Sequence, residues 1–101
     1  MKAFEPGLAE TVNISVSSSS QSVSLKRDGL CPVRIMNNGT ATVWVNFGLT
    51  GVTASTSTGM PVGPGVTEVV TIPPLGGPVF AAAIAAGSTG TIYFTPGVSG
   101  I

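Results

Sequence analysis

Apolar side chains recur at every second position along most of this chain, and that period predicts strands with one buried face. Between Cys31 and Gly48, Val33 and Ile35 alternate with Arg34 and Met36, and Val43, Val45 and Phe47 alternate with Trp44 and Asn46. Asn37-Asn38-Gly39-Thr40 lies between these two runs. Asn-Gly suits the positive φ angles of a type I′ turn, so the two runs are expected to pair as an antiparallel hairpin. Upstream, Val12, Ile14 and Val16 share one face of Glu10 to Val16, and Val23 and Leu25 resume the alternation after the serine turn Ser17 to Ser20. Downstream, Val66 to Ile72 is almost wholly β-branched, and Thr91 to Thr95 is a further strand that Pro96-Gly97 is expected to end.

One segment is ambiguous. Five of the eight residues from Val79 to Ala86 are alanine, the best helix former. The run is only about two helical turns long, has no N-cap residue, and places Phe80, Ala82 and Ile84 on one face, so strand is the preferred reading. Small residues there would let a second sheet or a subunit approach closely. Met60 to Gly65 carries two prolines and is expected at an edge or a turn. Lys26 to Gly29 reads as a polar turn, and Leu49 to Gly59 as a Ser/Thr/Gly-rich loop. Together these give about seven or eight short strands with turn signals roughly every 8–12 residues. The expected fold is all-β: a single antiparallel β-sandwich or jelly roll over residues 1–101. Extended termini are expected as an N-terminal arm at 1–9 and a tail at 97–101. The arm has two readings, reaching a neighbour or folding back on its own domain.

Composition then narrows the role. Charged residues make up 8% of the 101-residue chain, and four basic residues balance four acidic ones. No basic patch is available for nucleic acid. Few charges and no net charge favour association, so a homo-oligomer is expected. Without histidine the commonest general base is missing, and the carboxylates Glu5, Glu10, Asp28 and Glu68 are scattered. Cys31 is the only cysteine, so no internal disulfide forms, and it reads as a small apolar residue at the head of a strand. No metal-ligand spacing or phosphate-binding glycine motif occurs. The expectation is a protein that is not an enzyme and uses no cofactor or metal. The N-terminus lacks an apolar signal core and the longest apolar run, Pro78 to Ala86, is too short to span a bilayer, so synthesis as a soluble cytoplasmic protein without membrane contact is expected.

A few residues invite a functional reading. Trp44 and Met36 sit opposite the inward-facing Val43, Val45 and Ile35, as though both sheet faces were covered. Trp44 reads first as core and second as interface. Arg34 should meet solvent or a carboxylate, with Glu68 a candidate if their strands are neighbours. A glycan-binding module would have to use Trp44 or Tyr93.

The order of these pieces resembles a known group. A Phe4-Glu5-Pro6-Gly7 arm precedes Ile35-x-Asn37-x-Gly39 with its strand to Gly48, then Pro61 to Glu68, then Ala83 to Gly97 ending in Thr95-Pro96-Gly97. Over nearly its full length the chain resembles small β-sandwich or jelly-roll structural proteins of tailed-bacteriophage virions. The resemblance implies a capsid decoration, or cement, protein that binds the outer surface of the shell and ties major capsid protein subunits together. It leaves a tail or baseplate accessory role open. A protein of that kind needs termini and loops that reach neighbours. The candidate partner-binding residues are therefore Phe4 and Leu8 in the arm, Val98 and Ile101 in the tail, Met60 beside the Leu49 to Gly65 loop, and Trp44.

Overall fold

A computed structural model describes residues 4–6, 10–25, 31–73, 75–87 and 89–99. The described residues form nine strands and no helix: β1 Phe4–Pro6, β2 Val12–Val16, β3 Gln21–Ser24, β4 Cys31–Asn37, β5 Val43–Gly48, β6 Met60–Val62, β7 Thr67–Ile72, β8 Phe80–Ala85 and β9 Gly90–Ser99. They make two antiparallel sheets. The larger has β9 between β4 and the β1/β2 edge, with β7 beyond β4; the smaller runs β3-β8-β5-β6. The ambiguous alanine run is strand β8.

The pairings have a simple origin. β2 pairs β9, β3 pairs β8, β4 pairs β7 and β5 pairs β6. The chain is thus one long two-stranded ribbon doubled back at the loop 49–59, then rolled so that successive segments fall in alternate sheets. That is the jelly roll, and it makes the sandwich all-β and antiparallel as expected.

Rolling also overturns the predicted central hairpin. β4 and β5 are not partners; residues 38–42 carry the chain from one sheet to the other. Gly39 does not take the positive φ that a type I′ turn demands. Asn37 instead closes the crossing. Its side chain is fully buried, donates from Nδ2 to the carbonyls of Ala41 and Val62 at 2.9 Å each, and accepts the Gly39 N–H on Oδ1 at 2.9 Å. Gly39 then passes so near β9 that a Cβ on Gly90 would lie 3.1 Å from the Gly39 Cα. The serine turn behaves likewise, leading from β2 in the larger sheet to β3 in the smaller rather than joining neighbours.

The inward faces interlock around one apolar core. Ile14, Val33, Ile35, Ile72, Ile92 and Phe94 come from the larger sheet, and Val43, Val45, Val62, Ala81, Ala83 and Ala85 from the smaller. Bulk is supplied by the central strands of the larger sheet, whereas β8, central in the smaller one, supplies only methyl groups. Phe47 and Phe94 meet edge-to-face across the sheets, with ring centroids 5.9 Å apart, a favoured aromatic geometry.

At the termini, Phe4, Glu5 and Pro6 pair with Ser99, Val98 and Gly97. The described part of the arm thus takes the second of its two readings, folding back on its own domain against the described part of the tail. β9 does not stop at Pro96-Gly97 but runs through to Ser99. The proline is tolerated because the β2 ladder ends at Phe94 and the β1 ladder begins at Gly97, leaving Pro96 in the gap between them. Pro61 lies in the edge strand β6, as its chemistry requires. The Lys26 to Gly29 turn lies outside the described residues, and Cys31 opens β4.

Candidate binding face

The two outer faces of the sandwich are unlike. Over the smaller sheet, loop 49–59 crosses from β5 towards the start of β3. Asn46 Nδ2 donates to the Thr53 carbonyl at 3.2 Å, and the Ala54 N–H donates to Ser20 Oγ at 2.8 Å. Ala54 and the outward-facing Ala82 are buried as a result, and Trp44 is half-buried. The loop lies so close that a Cβ on Gly59 would sit 2.9 Å from the Trp44 Cβ and 2.7 Å from the Ser55 carbonyl oxygen. Trp44 is therefore outside the buried core, half-buried with its Cβ beside Gly59 of the loop.

The outer face of the larger sheet is exposed at Arg34, Met36 and Val69 and half-exposed at Tyr93 and Thr95, while Pro32 in the same phase of β4 is buried. Register places Arg34 opposite Thr95, and Met36 opposite Tyr93, on adjacent strands β4 and β9. Next to them, Thr11 and Thr95 share a hydroxyl–hydroxyl hydrogen bond of 2.8 Å. Thr11, Arg34, Met36, Asn38, Tyr93 and Thr95 line a shallow depression of about 380 Å³. Beyond β4, Val69 is 52% exposed, and Met36 itself is 40% exposed. The face thus combines exposed apolar area with an aromatic ring, hydroxyls and a guanidinium. Its depression is lined by one guanidinium, one phenol, one amide, two threonine hydroxyls and a thioether.

A second opening of about 320 Å³ lies between the sheets, where Val45, Phe47 and Met60 of the smaller sheet approach Val70 and Ile72 of the larger. Among the described residues no group of three or more His, Cys, Asp or Glu side chains gathers as a metal site. Arg34 and Glu68 do stand on neighbouring strands, but Glu68 is opposite Ile35 and Arg34 opposite Val69, so the two point to different faces.

The residues singled out from the sequence scatter. Leu8 and Ile101 lie outside the described residues. Phe4 and Val98 lie on the paired strands β1 and β9. Trp44 supports the loop, and Met60 is half-buried against the core at the mouth of the inter-sheet opening. Of these residues, Trp44 and Met60 belong to the smaller sheet and so are not on the open face. What brings Arg34, Met36, Tyr93 and Thr95 together is the β4–β9 register. Alternation marks each of them as outward-facing, but only the pairing makes them neighbours.

These features define a jelly-roll sandwich with one partly covered and one open outer face. No family model matches the chain, and no curated protein matches it. Among solved structures it is similar to the crystal structure of PirA, with a TM-score of 0.59 at 11% identity, covering 89% of this chain and 95% of that one. At that identity the likeness is one of fold.

Proposed function

We propose that this chain is a non-enzymatic structural protein of a bacteriophage virion, a decoration protein that docks on the outer surface of the capsid and ties major capsid protein subunits together. In this reading it is made in the bacterial cytoplasm, works on the virion surface, and uses neither cofactor nor nucleic acid. The observation that supports it best is the open part of the larger sheet's outer face, where Met36 and Val69 stay exposed while the opposite face is partly covered by the chain's own loop. A charge-poor domain with such a face suits a lattice partner, because many modest contacts on a regular shell add through avidity. In this reading the sheet face carries the contact, beside the paired ends of β1 and β9.

Co-sedimentation with shells lacking the protein tests the proposal. Saturation at a fixed number of copies per capsid subunit, with a gain in the shell's thermal resistance, is the expected result. Absence of binding at saturating protein would reject it.

Tyr93, flanked by Thr11, Asn38 and Thr95 in the depression, favours a second reading as a glycan-binding module. Selective retention on a glycan array that is lost in Tyr93→Ala would favour that module over the decoration protein.

A further inference from the structure

The four sides of the sandwich are not equally protected. β1 and β6 span three residues each and contain Pro6 and Pro61, and β3 spans four. β7 is the longest edge strand among the described residues, six residues from Thr67 to Ile72, with no proline, glycine or lysine. Short length, proline and lysine are the usual guards of a free edge, and β7 lacks all three. Its one charge, Glu68, is exposed at the rim.

The β4 register says which of its backbone groups are free. The Asn37 N–H donates to the Val66 carbonyl at 3.1 Å, in line with the ladder that pairs Ile35 with Glu68 and Val33 with Val70. Antiparallel alternation then turns the N–H and C=O of Glu68, Val70 and Ile72 towards β4, and those of Thr67, Val69 and Thr71 away from it. No described strand pairs on that side.

We propose that two copies of this chain join β7 to β7, antiparallel about a two-fold axis, with Val69 opposite Val69 and Thr67 opposite Thr71. The register follows from the free groups. Each outward-turned residue meets another, so three opposed pairs with two bonds each satisfy every free N–H and C=O of the edge. Sliding by two residues one way leaves Thr67 unmatched; sliding the other way sets Glu68 against Glu68, a like-charge pair. The chosen register sets Glu68 across from Val70 and covers Val69, the most exposed of the large apolar side chains among the described residues. A second copy needs no complementary sequence from elsewhere, because this edge completes itself. Pairing uses the edge up on both copies, so it closes at two instead of growing a fibre. The chain's zero net charge adds no long-range repulsion.

The pairing does not rest on the capsid reading, to which it would leave Met36 as the exposed apolar residue, and its test uses the purified full chain without shells. Sedimentation equilibrium should give a dimer for the wild type. Val69→Lys, which sets two ammonium groups face to face at the axis, should weaken it by roughly tenfold or more in dissociation constant, with a thermal melt matching the wild type at concentrations where both are monomeric. A cross-link gives a second readout that does not depend on the lysine variant folding. Two Val69→Cys copies in this register should form a dimer under mild oxidation, while the wild type, carrying Cys31 alone, should not. A wild type that stays monomeric up to its solubility limit would overturn the proposal. So would a dimer that Val69→Lys leaves intact and Val69→Cys fails to cross-link.

Discussion

Asn37 carries more of the architecture than its size suggests. It is the one buried polar or charged side chain among the described residues, and both its amide hydrogens and its oxygen are used. Those bonds tie the end of β4 to the crossing at Ala41 and to β6 at Val62, which belongs to the other sheet. Replacing Asn37 with alanine would leave the Ala41 carbonyl and the Gly39 N–H without these partners, whereas the Val62 carbonyl still faces Val43 across the β5–β6 ladder. Each unpartnered group costs about 1–3 kcal/mol, so Asn37→Ala should lose roughly 2 kcal/mol or more in urea-monitored unfolding. Asn37→Asp should lose more than alanine at neutral pH, because it sets a buried carboxylate against the Ala41 and Val62 carbonyls. The sequence reading took this residue for a turn position because Asn-Gly so often is one. Its chemistry was visible but its burial was not, since burial depends on which strands flank it. Arg34, Met36 and Tyr93 pose the same difficulty: outward phase is readable from the period of two, whereas adjacency is a matter of pairing.

At the level of elements, existence and type were far more legible than partnership. The alternating apolar positions of β2, β4, β5 and β9 mark those strands, and the β-branched run marks β7. The shortness of the alanine-rich run, its missing N-cap residue and its alternating face favour strand over helix, and it is strand β8. Local pattern could not say that β4 and β5 belong to different sheets. A hairpin and a sheet-to-sheet crossing of five residues look alike from the strand ends, and the decision lies in contacts far apart in sequence. The loop 49–59 is a similar case: its Ser/Thr/Gly composition hides that it packs on Trp44. Gly59→Ala tests that packing, because the new methyl would meet the Ser55 carbonyl and the Trp44 Cβ. Such overpacking costs about 1–3 kcal/mol. The expected outcome is a loop lifted off the sheet, seen as a red shift and increased quencher access of Trp44 fluorescence. An unchanged emission maximum would mean the loop does not rest on the indole.

For the whole molecule, the rolled ribbon sets out three distinct surfaces. One face is partly covered by the loop, one is open around Met36, and the β7 edge is the longest without a paired strand among the described residues. The open face is the centre of the functional account, and methionine oxidation probes it with an internal reference. Met36 stands on that face at 40% exposure, whereas Met60 is half-buried at the opening between the sheets. Peroxide oxidation of each, followed by peptide mass spectrometry, is to be compared for the free protein and for protein bound to decorated shells. The account predicts that binding slows oxidation of Met36 severalfold and leaves Met60 unchanged. Equal rates at Met36 in the free and bound protein would contradict it.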